Sequence, residues 1–152
     1  MKYTFYAIAI LLTLVSCMQE QQQPASKPSV EYIKADTSSV LPFSEAVRVG
    51  DMLYLSGMIG ADDSGNVVPG GVSAETKQAM DNIRAILERN GSSMDNVVKC
   101  TIALADIKDW PAMNSVYKTY FSNRRFPART SFATTGLVLG AKIEIECWAT
   151  IQ

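Results

Sequence analysis

The chain has 152 residues, of which 47% are hydrophobic and 19% are charged, a composition typical of one soluble domain with a single core. Its 14 basic and 15 acidic residues give a formal charge of −1 without a basic stripe, so there is no electrostatic reason to expect nucleic-acid binding. Because the chain contains no histidine, acid–base chemistry must use carboxylates, lysine, tyrosine, cysteine or water, and we expect neither a metal site nor a cofactor.

The N-terminal segment has the pattern of an export signal. Lys2 provides a positive charge, and residues 3–15 form an apolar run that is shorter than the roughly 20 residues a membrane-spanning helix needs. The run ends in the sequence Leu-Val-Ser-Cys17, which resembles the lipobox of bacterial lipoproteins. That resemblance implies cleavage before Cys17 and acylation of its sulfur. The alternative is a plain secretory signal with a chance cysteine.

A polar stretch broken by prolines follows and extends to residue 29. It has too little apolar surface to order itself, so we interpret it as a tether. We therefore divide the chain into a lipoprotein signal peptide (residues 1–16), a lipidated Cys17 with a flexible tether (17–29) and one folded domain (30–152). The predicted location is outside the cytoplasm, anchored by lipid alone on the periplasmic or surface side of a bacterial membrane.

The folded part begins with short strands and a long helix. Val30–Ile33 is the first predicted strand, and the runs 45–49 and 52–56 flank Gly50-Asp51, which is typical of a hairpin turn. Apolar residues at helical spacing then predict a helix over 73–90, with Ser73 as its N-cap and Asn90-Gly91 as its stop signal.

Four further elements complete the domain. A strand is predicted over 97–104, and a second helix begins at Asp109-Trp-Pro, with an aromatic stripe that we interpret as core. Two strand-like runs, 128–135 and 142–151, follow it. The order predicts an α+β domain with a mixed sheet and two helices on one sheet face. The other face must also be covered, so the domain is a candidate oligomer.

Two cysteines, Cys100 and Cys147, lie in strand-like runs within the predicted domain. An exported protein can form one disulfide, but nothing in their spacing requires it. We therefore expect two buried free thiols, since free cysteine behaves as a small hydrophobe.

Three charged residues near the C-terminus have side chains suited to chemistry. Arg129 starts a strand after Pro-Ala, and its planar guanidinium matches a carboxylate in two parallel hydrogen bonds. Glu144 and Glu146 point to one side of the last strand because side chains alternate with period two. A carboxylate there can act as a general base. A surface ion pair for Arg129 and a solvated strand face for the glutamates are the structural alternatives.

These residues belong to a larger pattern of motifs, which are Tyr54-Leu-Ser-Gly, Asp81-Asn-Ile, Val98-Lys-Cys-Thr, Asn114-Ser-Val-Tyr, Phe126-Pro-Ala-Arg and Ile143-Glu-Ile-Glu-Cys. From about residue 31 to residue 152, this pattern resembles the RidA family, also called YjgF/YER057c/UK114. The Phe-Pro-Ala-Arg and Ile-Glu-Ile-Glu segments, in this order and at this distance, are the specific part of the pattern.

The resemblance implies a chorismate-mutase-like fold, a homotrimer and pockets in the clefts between subunits. It also implies hydrolysis of reactive 2-imino or 2-enamino acids to 2-oxo acids and ammonia. In this sequence Arg129 would clamp the substrate carboxylate and Glu144 would position the water. Ser56, Gly57 and Asn114 would help to line the pocket. A non-catalytic carboxylate-binding or chaperone-like trimer that uses the same cleft is the alternative, although retention of both Arg129 and Glu144 favours catalysis.

The sequence departs from the family pattern around the pocket. Phe43 stands where family members commonly have tyrosine, and Ser131 stands where they often have cysteine. Met58 replaces a glutamine after the Ser-Gly pair, and the segment after Ser131 lacks a common Arg-Leu-Pro. We still expect Phe43 and Ser131 to contact substrate, but these changes leave the substrate range open.

Overall fold

The computed structural model describes residues 27–34 and 41–151. The predicted signal peptide, Cys17 and most of the tether therefore lie outside the described residues. Among the described residues, no helix combines the length and the apolar character needed to span a bilayer.

The described part contains the six predicted strands and two α-helices in the predicted order, and one additional two-residue strand after the hairpin brings the number of strands to seven. The strands are β1 (Val30–Ile33), β2 (Ala46–Val49), β3 (Met52–Leu55), β4 (Met58–Ile59), β5 (Val97–Leu104), β6 (Ala128–Ala133) and β7 (Ile143–Thr150), and the helices are α1 (Gly71–Arg89) and α2 (Trp110–Tyr117). Short 3₁₀ turns cover Met94–Asn96, Ile107–Asp109, Lys118–Tyr120, Ser122–Arg124 and Val138–Gly140.

All seven strands form one mixed sheet in the order β1-β2-β3-β7-β5-β6, with β4 paired to β7 beside β3. The pairs are antiparallel except β5–β6, which are parallel. Gly50 closes the predicted β2–β3 hairpin at φ 56°, a left-handed conformation that glycine adopts without a steric penalty. The predicted α+β class with a mixed sheet is confirmed.

One face of the sheet is buried under the helices. Alternate residues of β7, from Ile143 to Ala149, are 0% exposed, while the residues between them are partly or largely exposed. The helices α1 and α2 contact each other, and α1 also contacts β4 and β7. Their buried residues share one core with the strands, which includes Leu53, Met80, Ile83, Leu87, Ile102 and Met113. The prediction of helices on one sheet face is confirmed, and the opposite face is open in the single chain.

The start of α1 differs from the prediction. The helix begins at Gly71 rather than Ser73, which lies inside its first turn. Gly70 and Gly71 both have positive φ, 115° and 72°, so the chain enters the helix through a conformation that favours glycine. Among the described residues, no side chain donates or accepts a capping hydrogen bond at the N-terminus of α1. The start of this helix is therefore set by backbone geometry and not by a serine hydroxyl.

The expectation of free thiols is wrong. The antiparallel register of β5 and β7 places Cys100 directly opposite Cys147, with their Cα atoms 4.3 Å apart, and the two are joined as a disulfide. Both cysteines are 0% exposed. The pairing depends on strand register, which the spacing of the cysteines along the chain does not reveal.

Candidate functional site

Arg129 lies on the helix side of the sheet. It is in register with the buried Cys100 of the neighbouring parallel strand, and its Nη1 donates a hydrogen bond to Asn114 Oδ1 on α2 at 2.8 Å. The guanidinium carbon lies 4.8 Å from the ring centre of Tyr117 and 5.5 Å from that of Trp110, within the range of cation–π attraction. None of the ion pairs among the described residues includes Arg129. The fork is therefore held in place by neutral groups and can receive a carboxylate.

The cavity beside Arg129 has a volume of about 500 Å³ and is lined by Asn114, Tyr117, Lys118, Phe126, Pro127 and Arg129. Tyr117 is only 2% exposed, and its hydroxyl has no hydrogen-bond partner in the described part of the chain. Burial raises the pKa of Tyr117 to about 12 against the opposing effect of the Arg129 charge, so the phenol stays neutral near pH 7. This side of the protein combines the positive charges of Arg129 and Lys118 with aromatic walls, which suits a small anion that has an organic body.

Glu144 lies on the opposite, open face of the sheet. It pairs with Ala103 of β5 and shares a cavity of about 270 Å³ with Gly57, Thr101, Ala103, Phe132 and Glu146. A Cβ atom on Gly57 would lie 2.1 Å from Glu144 Oε1, so the carboxylate packs directly against this glycine. Glu146, the second carboxylate, accepts a hydrogen bond from Trp148 Nε1 at 2.6 Å. Glu144 therefore has the freer carboxylate of the two.

The remaining predicted site residues divide between the same two regions. Ser131 is in register with the buried Ile102, on the side of Arg129, and its hydroxyl is buried without a hydrogen-bond partner among the residues that the structure describes. Phe43 lines a cavity together with Gly57. Ser56 Oγ donates to the Ser44 carbonyl at 2.7 Å and so fixes the segment that leads into Gly57.

Arg129 and Glu144 thus lie on opposite faces of one sheet. Their strand partners, Cys100 and Ala103, are three positions apart on β5 and point in opposite directions. A single protomer therefore does not bring the two side chains to one small substrate.

The sequence reasoning missed the aromatic residues that hold Arg129. Trp110, Asn114 and Tyr117 are spaced at i, i+4 and i+7, so they lie on one face of α2. We assigned the aromatic stripe to the core, and Tyr117 is indeed buried, yet its ring also forms one wall around the guanidinium. A polar asparagine at helical spacing between two aromatic residues was the feature of the sequence that could have indicated a binding role for this face of α2.

Among residues 27–34 and 41–151, no three histidine, cysteine or acidic side chains cluster so that they could hold a metal ion. The chemistry that these two regions offer is carboxylate binding at Arg129 and proton transfer at Glu144.

Residues 34–151 match the family described as Endoribonuclease L-PSP. A goat protein named 2-iminobutanoate/2-iminopropanoate deaminase is 47% identical over 113 residues, which are 74% of this chain and 82% of the goat protein. The human protein of that name is 47% identical over 109 residues, 71% of this chain and 79% of its own length.

Solved structures agree with the sequence matches. The yeast protein YEO7 has a TM-score of 0.75 at 33% identity, covering 82% of this chain and 100% of the yeast chain. A putative endoribonuclease L-PSP from Entamoeba histolytica has a TM-score of 0.74 at 39% identity and covers 81% of this chain and 100% of its own.

Proposed function

Because the chain belongs to the Endoribonuclease L-PSP family, which includes the RidA/YjgF proteins, we propose that it is an enzyme that hydrolyses reactive 2-imino and 2-enamino acids to 2-oxo acids and ammonia. The relatives named 2-iminobutanoate/2-iminopropanoate deaminase match most of the chain at up to 47% identity. The observation that carries the proposal is the Arg129 guanidinium, which is oriented by Asn114 and two aromatic rings and has no carboxylate partner among the described residues.

The complete site is formed between subunits of a homotrimer, according to this proposal. The Arg129 side of one subunit meets the Glu144 side of its neighbour, which would resolve their separation on opposite sheet faces within one chain. Exposed apolar side chains on the open face support burial in an assembly, including Phe132 at 46% and Trp148 at 38%. The mass of the tetherless domain in solution, residues 30–152, tests the trimer.

The reaction needs no covalent intermediate with the protein, because the imine carbon is already electrophilic. Arg129 would hold the substrate carboxylate in a bidentate pair and so orient the C=N bond. Glu144 would take a proton from water as the water oxygen bonds to the imine carbon, giving a carbinolamine. With the imine nitrogen protonated from solvent, this carbinolamine is neutral. Glu144 would then return its proton to the nitrogen, the C–N bond would break to release ammonia, and the hydroxyl proton would pass to Glu144 or solvent as the C=O bond of the 2-oxo acid forms. A positioned base of this kind contributes about 10²–10⁴-fold.

The activity can be tested with an amino-acid oxidase that generates 2-imino acids from L-alanine or L-2-aminobutanoate. Loss of the imine is followed by its capture with semicarbazide, and wild type should accelerate the loss. Glu144→Ala and Arg129→Ala should each abolish the acceleration. If Glu144→Ala performs like wild type while Arg129→Ala alone loses ligand binding, the protein is a carboxylate binder and the hydrolytic proposal is wrong.

The intersubunit site has its own test. Two inactive proteins, Arg129→Ala and Glu144→Ala, are unfolded together and refolded as a mixture. Some sites then combine an intact arginine from one chain with an intact glutamate from another, so activity should reappear. A mixture that remains inactive, although it contains mixed oligomers, would contradict a shared site.

We also propose that the protein is exported and lipid-anchored through Cys17, with no other contact to the membrane. The disulfide between Cys100 and Cys147 supports an oxidising compartment, since such bonds are rare in the cytosol. The substitution Cys17→Ser should move the protein from the membrane fraction to the soluble fraction. Unchanged membrane partition of this variant would exclude acylation as the anchor.

A further inference from the structure

The cavity that Phe43 and Gly57 line lies beside the Glu144 cavity and is the third of the cavities described. Its volume is about 260 Å³, and its walls are mainly apolar, formed by Leu41, Phe43, Met58, Ile59 and Ala61. Gly57 lines both this cavity and the one that contains Glu144. The volume is below the roughly 300–1,000 Å³ of sites for drug-sized ligands, so it suits one substrate side chain.

Glu45 is an unusual member of the lining of this cavity, because its carboxylate is only partly satisfied. Its side chain is 9% exposed, and its Oε1 accepts a hydrogen bond from Arg89. Its Oε2 is buried and has no hydrogen-bond partner among residues 27–34 and 41–151. Buried carboxylate oxygens are normally hydrogen-bonded, and leaving one without a donor is costly.

The position of Glu45 relative to the proposed site is fixed by the backbone. The Ser56 N–H donates to the Glu45 carbonyl at 3.0 Å, and Ser56 directly precedes Gly57. Glu144 Oε1 packs against Gly57, and Gly57 also lines the cavity that contains Glu45. A substrate held at Glu144 is therefore separated from this cavity by a single residue, Gly57.

We infer that Glu45 gives the proposed deaminase a preference for 2-imino acids with a long, positively charged side chain. This inference rests on the proposed function. The methylene groups of the substrate side chain would lie against the apolar walls, and its cationic end would donate to Oε2 of Glu45 once a rotation of this side chain turns the buried oxygen toward the cavity. Hydrogen bonds between ionised groups are roughly twice as strong as neutral ones, so charge distinguishes such a substrate from a neutral one of the same shape.

The other charges around the cavity are compatible with a cation. Asp62 and Glu45 are its carboxylates and Lys34 is its ammonium group, while the Arg89 guanidinium pairs with Oε1 of Glu45. Asp62 Oδ1 already accepts hydrogen bonds from the backbone N–H groups of Ser64 and Asn66, both at 3.0 Å. Glu45 is therefore the better acceptor for the end of a substrate side chain.

The test compares imines made by an L-amino-acid oxidase from arginine and from citrulline, which have nearly the same shape but differ in charge. Wild type should show a kcat/KM about tenfold higher for the arginine-derived imine, the difference expected for a charged over a neutral hydrogen bond. The isosteric substitution Glu45→Gln should reduce this ratio to near one and leave hydrolysis of the alanine-derived imine unchanged.

Two control variants separate recognition from structural support. Arg89→Met removes the ion pair but keeps the Glu45 carboxylate, and Asp62→Asn removes the other negative charge of the lining. Both should retain the preference for the arginine-derived imine. Three outcomes would each overturn the inference. Wild type could hydrolyse the two imines at equal rates, the preference could survive Glu45→Gln, or the preference could be lost in Arg89→Met. If wild type fails on the alanine-derived imine as well, the proposed function itself is wrong.

Discussion

A single methyl group at Gly57 is expected to displace the proposed catalytic base without unfolding the protein. A Cβ atom at this position would lie 2.1 Å from Glu144 Oε1, 2.9 Å from its Cδ and 3.0 Å from its Cγ. Ordinary contact begins near 3.4 Å, so in Gly57→Ala the carboxylate must move by more than about 1 Å. The atoms in conflict belong to the far end of a flexible side chain, so the side chain can move while the backbone stays in place.

The magnitude follows from the displacement. A 1 Å misplacement of a reacting group costs about 10²-fold, and complete loss of a general base costs about 10²–10⁴-fold. We therefore expect Gly57→Ala to lower kcat/KM for the alanine-derived imine by about 10²-fold or more. The loss should appear mainly in kcat, because the carboxylate clamp at Arg129 is unchanged. The semicarbazide assay measures the rate, and circular dichroism and thermal unfolding monitor the fold.

The chain offers a matched control. Gly136→Ala also adds one methyl group, but no atom of the described residues lies within 4 Å of its Cβ position, and Gly136 has no positive φ that would add strain. It should retain wild-type activity. A second control is the double variant with Gly57→Ala and Glu144→Ala, which should be no slower than Glu144→Ala alone. A folded Gly57→Ala protein with wild-type kcat/KM would refute the assignment of Glu144 as the base.

Three further predictions concern binding and stability. Arg129→Lys keeps the charge but loses the planar fork, so kcat/KM should fall by roughly 10–100-fold, mainly through KM, and an unchanged KM would argue against the clamp. Burial of Asp81 alone would raise its pKa, but hydrogen bonds and nearby cations lower the pKa below 3.8. The contribution of Asp81 to stability is therefore present above pH 3.8 and is lost as the pH falls through the lowered pKa. Asp81→Asn should reduce the free energy of unfolding by about 1 kcal/mol at pH 7, with the difference from wild type shrinking below about pH 4 in urea titrations. Reducing the Cys100–Cys147 disulfide, which spans 47 residues, should lower the unfolding free energy by about 2–4 kcal/mol, and equal midpoints with and without dithiothreitol would contradict this.

Much of the local structure followed from the sequence. Periodicity correctly indicated both helices and the hairpin at Gly50-Asp51, because these features depend on neighbours within a few residues. The start of α1 was misplaced by two residues, since Ser73 resembles a cap although Gly70 and Gly71 set the turn through positive φ. The positive φ angles of the two glycines, and not the N-cap preference of serine, therefore set the first residue of α1.

The motif around the site was also visible in the sequence, but its spatial arrangement was not. Arg129 and Glu144 were identified as the reactive pair, yet nothing in the order of residues says that β6 is parallel to β5 while β7 is antiparallel to it. That arrangement places one side chain toward α2 and the other on the open face. The cavity with Glu45 could not be predicted either, because its lining combines segments near residues 43 and 58 with Asn82 of α1, which are distant along the chain.

By itself, the sequence determined which residues alternate between core and surface, which segments coil or extend, and which side chains are suited to binding a carboxylate and moving a proton. Only the tertiary structure decided that Cys100 meets Cys147, that the aromatic rings of α2 hold the guanidinium, and that the glutamate lies on the other side of the sheet. The physical reason is that local conformation is governed by contacts between near neighbours. Strand order and register are set by burial over the whole chain, and a shift of one residue reverses every side chain.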